Sequence, residues 1–409
     1  MSLAGVRILD LGRVLAAPWA TQVLADLGAE VIKVERPGNG SDERVYGPGF
    51  LPGPDGGRSR HSAFHNSANR NKQSITIDLA SPGGHELVLA LAAKSDVLVE
   101  NFVPGKAAKL GLGYDDIKAV NPAIIYASLS GYGQTGPLSE RPGYDAVFQA
   151  RSGLMNVTGI PDGEPGGGPM RIGPSLVDVT TGYNLAIGIL AALYHRDANG
   201  GQGQQIDVAL MDTAVAMQSH LLASYLVTGR QPPRQGFSGN GGHPATVFEC
   251  IGGRLYISAG TDQFWVLLCK VLGCEELLDD PRFASITLRG EHRDALNEVM
   301  VPLVAAWPIK DLFDALEKAR VPCSPINDYA AVMADEQVRH RGIFRTFPGA
   351  AGVAGEVPTV ASPIRMSATP IRYEIPPPEV GEHTDCVLAQ VLGMDKQAIE
   401  SLRKKGVVG

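Results

Sequence analysis

From Val6 to Gly38 the chain runs through a short apolar stretch ending in glycine, VRILDLG, a helical stretch, WATQVLADLGAE, and a second apolar stretch closed by Pro-Gly, VIKVERPG. Val23, Leu24 and Leu27 recur at helical spacing, and Gly28 follows as the stop. Strand, helix and strand within about 30 residues form a βαβ unit with a right-handed crossover. The alternation continues through SITIDL (Ser74 to Leu79), a helix over HELVLALAAKS, the strand DVLVENF, a helix across AAKLGLGYDDIKAVN, and the strands AIIYASLSGYG and QQIDVAL. This pattern predicts an α/β fold with a parallel sheet and helices on both faces. Ligands of such sheets bind beyond the carboxyl ends of the strands, which places Arg36, Asn101 and Gly131 to Gly133 near a candidate site. No G-x-G-x-x-G follows the first strand, so the dinucleotide fingerprint is absent.

The chain has 409 residues, too many for one ordinary core. A large Rossmann-like domain is expected over 1–210, completed by a closing helix in 381–409. Residues 211–244 read as a linker helix and a glycine loop, because TGRQPPRQGFSGNGGHP (Thr228 to Pro244) holds eight Gly or Pro residues. A small α+β domain is expected over 245–326, where Gly252-Gly253 separates two alternating runs as in a hairpin and three helical patterns follow. Residues 327–380 are irregular and Pro-rich, and read as a long return linker.

A net charge of −7 argues against nucleic acid or an anionic membrane as the main partner. The five cysteines are odd in number and form no C-x-x-C pair, which disfavours a disulfide framework or a Cys-rich zinc site and favours a reducing, cytoplasmic setting. The first residues lack the pattern of a signal peptide, and no uninterrupted apolar run reaches membrane-spanning length.

Nine histidines are scattered without a metal-binding pattern, and no metal site is expected; no nucleophile elbow or phosphate-binding Walker loop occurs. His243 and His383 lie in glycine-containing loops without partner motifs. Carboxylates and backbone amides remain as chemical tools. Asp178 is the single carboxylate in RIGPSLVDVTTGYNLAIGILAALYH, where an irregular segment becomes a long apolar helix. One reading is a helix cap, since Asp is preferred at that position. The other is an ionised carboxylate at a helix N-terminus, free to act as a covalent nucleophile.

Several segments together, in this order, resemble the type III CoA-transferases (CaiB/BaiF family): RILDLGRVLAAPWATQVLADLGAEVIKVERPGNGSDER, SANRNKQSITIDL, DVLVENFVPGKAAKLGLGY, SLSGYGQTGP, PSLVDVTTGYNLAIGILAAL, DPRF, VPCSP and GEHTDCVL. The resemblance implies that Asp178 is the acyl-accepting nucleophile and that coenzyme A thioesters are substrates, with no permanently bound cofactor. It implies CoA contacts at Leu15, Ala16, Arg36, Asn71, Lys72, Asn101 and Lys109, with Arg36 on the adenine and the two lysines near the phosphates. The family's glycine loop resembles GNGGHP, so Gly241 and Gly242 are expected to cover the intermediate. Leu15 replaces the glutamine of the formyl-CoA:oxalate members. Arg44 and Arg171 are candidates to pair with a distal carboxylate, which points to a dicarboxylate acceptor and succinyl-CoA as donor. The family's α-methylacyl-CoA racemases are the alternative, but their catalytic histidine is Tyr144 here, in GYD, and a neutral phenol is a poor acid/base group near neutrality. A non-enzymatic CoA-binding protein is the other class. An interlocked homodimer is also implied.

Overall fold

A computed structural model describes residues 1–239 and 242–409. Two compact units are present, one comprising Met1–Leu154, Arg171–Arg230 and Arg339–Gly409, the other Met155–Met170 and Gln231–Val338.

The larger unit begins with β1 (Arg7–Asp10), α1 (Ala16–Asp26), β2 (Glu30–Glu35), β3 (Lys72–Thr76), α2 (Pro82–Ala92), β4 (Val97–Glu100), α3 (Tyr114–Val120) and β5 (Ile125–Ser130). It continues with α4 (Asp145–Arg151), α5 (Leu176–Ala198), β6 (Gln205–Ala209), α6 (Leu210–Ala216) and α7 (Ser219–Thr228). The six strands pair in parallel in the order β3-β2-β1-β4-β5-β6, the doubly wound Rossmann-like arrangement. Strand order reverses between β1 and β4, so the crevice beyond their carboxyl ends is the expected ligand position.

The inner strands β1, β2, β4 and β5 bury both faces, which explains their largely apolar sequences. Ile8, Val31, Val97 and Ile125 point to the side carrying α1 and α5, while Leu9, Ile32, Leu98 and Tyr126 point to the side carrying α2. The predicted helix across 107–121 is divided, because Gly111 adopts φ +67° ahead of α3. With 23 residues, α5 is apolar and long enough to cross a membrane by composition, yet its buried face packs on α1 and the sheet.

The smaller unit carries β7 (Ala245–Cys250), β8 (Gly253–Ser258), α8 (Asp262–Leu272), α9 (Arg293–Ala305), α10 (Ile309–Lys318) and β9 (Cys323–Pro325). The three strands form an antiparallel sheet, and Leu255, Ile257, Trp265, Leu296 and Leu312 share its core.

The units differ from the expected boundaries in several stretches: Met155–Met170, expected in the large domain, lies with the smaller unit, as do residues 231–244 and 327–338 of the expected linkers. Met211–Arg230 lies with the larger unit, since α6 buries Leu210 and Ala214 in the α1/α5 core. Arg339–Gly409, including much of the expected return linker, also lies there. It forms a hairpin of β10 (Phe344–Phe347) and β11 (Val357–Val360), then α11 (Thr384–Leu392) and α12 (Lys396–Lys404), whose Leu388 and Ile399 complete the core on the α2 side.

Candidate active site

Asp178 is the third residue of the first turn of α5, after Ser175 at the N-cap. It does not cap its own helix. That task falls to Asp145 at the start of α4, whose Oδ1 accepts from the amides of Val177 (2.7 Å) and Asp178 (3.2 Å). The other Asp145 oxygen accepts from Gln149 Nε2 at 2.5 Å. The Asp178 carboxylate, relieved of capping, has no hydrogen-bond partner among the described residues and borders a cavity of about 220 Å³.

One turn along α5, Gly182 lies on the same helix face as Asp178. A Cβ there would stand 2.7 Å from the Ala16 carbonyl oxygen, so the absent side chain lets α5 rest directly on the start of α1. Leu15 and Ala16, both buried, line the same cavity as Asp178. Leu15 occupies the α1 N-cap and no side chain caps the helix, which leaves the positive end of α1 uncompensated beside the carboxylate. Asn101, at the end of β4, clamps the preceding turn by accepting from the Arg13 amide (2.9 Å) and donating to the Arg13 carbonyl (2.8 Å).

A larger cavity, of about 630 Å³, lies beyond the ends of β1, β2 and β3. Arg36 and Lys109 line it, joined by Arg13 and Lys106, which the sequence reading did not single out. Arg36 is exposed and pairs with Asp42. The two cavities share Arg13, Phe102, Val103 and Pro104, with the Arg13 guanidinium over the Phe102 ring at 5.2 Å. Together they form a larger cavity lined by Arg13, Arg36, Lys106 and Lys109 and a smaller one that contains Asp178. Tyr144, two-thirds exposed, stands at the rim of the smaller one. Arg141 also lines it, and its guanidinium has no ion pair or hydrogen bond among the described residues.

Burial and the nearby Asp145 charge raise the Asp178 carboxyl to about 7. This corrects the expectation of a fully ionised group: the helix terminus does not outweigh desolvation, and the carboxyl is poised near neutrality.

Four further expectations are corrected. Lys72 is fully buried, with its ammonium donating to Asp10 Oδ2 (3.1 Å), Pro18 O (2.9 Å) and Asn69 Oδ1 (3.0 Å), and cannot reach a phosphate. Asn71 is buried at φ +61°, donating to Asp26 and the Arg372 carbonyl and accepting from the Glu374 and Ile375 amides, so it secures the C-terminal segment rather than a ligand. Arg44 is buried in a two-pronged pair with Glu35 (2.7 and 2.6 Å) and is not available to substrate. Arg171 is exposed, bonds the Gly173 carbonyl and lines neither cavity.

In the smaller unit, Gly241 lies outside the described residues. Gly242 adopts φ +86°, and a Cβ there would stand 2.5 Å from the Ile286 side chain, so backbone conformation and local packing both favour glycine. His243 bonds Asn297 at 2.8 Å, and burial lowers its imidazole to about 4, leaving it neutral.

Comparison with known proteins gives a consistent picture. The profile of CoA-transferase family III matches residues 3–384. The chain is 40% identical over 396 residues to a succinate–glutarate CoA-transferase of Agrobacterium fabrum, covering 97% of each chain. It is 39% identical over 406 residues to the succinyl-CoA:glutarate CoA-transferase of Homo sapiens, covering 99% of this chain and 90% of the human one. A CAIB/BAIF family protein from Brucella suis superposes with a TM-score of 0.83 at 38% identity, covering 95% of this chain and 98% of that one.

Proposed function

The chain belongs to CoA-transferase family III and is a CoA-transferase, and we propose that it moves CoA from succinyl-CoA to a dicarboxylic acid through covalent intermediates on Asp178. The observation that carries this reading is the unpartnered Asp178 carboxylate in a small cavity joined to a cation-lined one.

In the first step an Asp178 oxygen attacks the thioester carbonyl of the donor. The tetrahedral oxyanion collapses with loss of CoA thiolate, leaving a mixed anhydride between Asp178 and the acyl group. The thiolate then attacks the Asp178 side-chain carbonyl, forming an aspartyl-CoA thioester and releasing the donor acid. The acceptor carboxylate attacks this thioester and expels thiolate, which takes the acceptor's acyl carbon and frees Asp178. No water enters the balance, so the intermediates must be shielded from it. The uncapped start of α1, at Leu15 and Ala16, supplies amide donors and positive potential for the oxyanion. A carboxyl poised near neutrality is a stronger nucleophile than an ordinary aspartate once ionised.

Arg36, Lys106 and Lys109 hold the nucleotide part of CoA in the larger cavity, with Arg13 at its junction with the acyl chamber. The dicarboxylate reading draws on the names of the relatives and on Arg13 and Arg141, two cations beside Asp178 that suit a second carboxylate. Tyr144 in place of histidine, and a nucleophile cavity with no histidine among its lining residues, disfavour racemase chemistry. The enzyme acts as a homodimer, a reading supported by apolar side chains left exposed on α5 (Ile187, Tyr194) and α7 (Leu226, Val227). It works in the cytoplasm and carries no permanent cofactor.

Incubation with succinyl-CoA followed by peptide mass spectrometry tests the proposal: an adduct on Asp178 is expected, and D178N should remove both adduct and CoA exchange between succinyl-CoA and glutarate. An unmodified Asp178 in an active enzyme would overturn it.

A further inference from the structure

We infer that the buried Lys33–Glu43 ion pair is a positioning device for the transfer reaction, holding Val14 in a left-handed backbone conformation so that the start of α1 stays fixed beside Asp178. The inference rests on Asp178 being the reacting group.

The turn between β1 and α1 is held almost wholly by side chains. Asp10 Oδ1 accepts from the Gly12 amide at 2.8 Å, and Lys33 Nζ donates to the Gly12 carbonyl at 3.1 Å. Asn101 brackets the Arg13 peptide on both sides. Glu43 Oε2 accepts from the Val14 amide at 3.0 Å, while its Oε1 lies 3.1 Å from Lys33 Nζ. Both members of the pair are fully buried. One comes from the middle of β2 and the other from the short helical turn Asp42–Val45, so the pair ties the sheet, that turn and the β1–α1 turn together.

Val14 sits at φ +68°. A β-branched residue is a true outlier there and stays only where its surroundings enforce the conformation. The next two residues, Leu15 and Ala16, form the uncapped N-terminus of α1 and line the nucleophile cavity. A relaxed Val14 would swing that peptide and shift the start of α1 relative to Asp178. Stability alone does not explain the arrangement, because an apolar pair of similar volume generally stabilises a core as well as a buried ion pair does. What Lys33 and Glu43 add is two directed hydrogen bonds on the strained turn.

The test uses K33M/E43L, which removes both charges together and leaves no uncompensated ion. Turnover with succinyl-CoA and glutarate is expected to fall about 100-fold, with the KM for succinyl-CoA within about threefold, because the loss is of alignment and not of nucleotide binding. Adding V14G, which adopts positive φ without strain, should recover at least about tenfold. Hydrogen exchange, read without substrate, should quicken over residues 11–17. Should the double variant not fold, V14P changes only the turn, forcing negative φ and deleting the amide, and the same fall in turnover is expected. Full turnover in K33M/E43L or V14P, no recovery with V14G, or unchanged exchange over 11–17 would overturn the inference. If the wild type moves no CoA from succinyl-CoA to glutarate, the substrate reading fails instead, and the exchange measurement still decides the role of the pair.

Discussion

The amide of Asp178 donates to Asp145 Oδ1 at 3.2 Å, so one carboxylate holds the backbone of another whose own side chain is left free. Asp145 thus does two things to its neighbour: it fixes the first turn of α5 and, through its charge, helps burial raise the Asp178 carboxyl to about 7.

In the proposed mechanism the ionised form of Asp178 attacks, so kcat/KM for the acyl-CoA donor should rise with pH through about 7 and level off above it. D145N keeps an oxygen that can accept the Val177 amide but removes the neighbouring charge. Its pH profile should therefore move toward acid, with the plateau reached at lower pH. Initial rates across pH 5 to 9 check this, and an unmoved profile would remove Asp145 from the electrostatics of the site.

The same shift has a stability consequence. An aspartate that titrates near 3.9 when unfolded and at about 7 when folded keeps its proton longer in the native state, so its contribution to stability falls as pH rises between those values. D178N abolishes this loss. Its melting temperature should exceed the wild type's at pH 8, with the difference shrinking toward pH 4.5, as read by calorimetry on the two proteins in parallel.

Gly182 stands where a methyl group would meet the Ala16 carbonyl at 2.7 Å. G182A should destabilise the enzyme by about 1–3 kcal/mol, the usual cost of overpacking. It should also lower turnover more than it raises the donor KM, because α5 carries Asp178 away from the start of α1. Denaturant unfolding and steady-state kinetics on one preparation separate the two effects.

Arg141 borders the Asp178 cavity with no partner for its guanidinium among the described residues. R141Q should raise the KM for glutarate by about 10- to 100-fold, the worth of a charge-assisted hydrogen bond. The KM for a monocarboxylate of the same chain length should change little. Equal effects on both acids would assign Arg141 to a role other than reading the second carboxylate.

Arg44 gives the contrasting expectation. R44M leaves Glu35 buried without its partner, so a loss of about 3–5 kcal/mol in stability is expected. The folded fraction should retain its KM for glutarate, which thermal unfolding and kinetics together can verify.

The parallel sheet was legible because its inner strands bury both faces and therefore appear as largely apolar runs between helical segments, as in Val97–Glu100 and Ile125–Ser130. The strand-end rule led to Asn101 and Arg36, each of which lines one of the two cavities. Lys72 and Arg44 misled for a shared reason. A cation in a polar loop or at a strand end looks ligand-directed until its carboxylate is known, and their partners Asp10, at the end of β1, and Glu35, at the end of β2, stand 62 and 9 residues away in sequence. Asp145 was passed over because its cap lies 32 residues downstream on a different helix, a distance over which no capping signature extends. Arg13 was within reach, since it directly follows the glycine that ends the first apolar run.

Arg13 also constrains redesign. Because it borders both cavities, any replacement there would reshape the two at the same stroke. A change confined to one cavity is better begun at Ser139 and Arg141, which line the compartment of Asp178 and not the larger one, leaving the shared arginine as the fixed point between them.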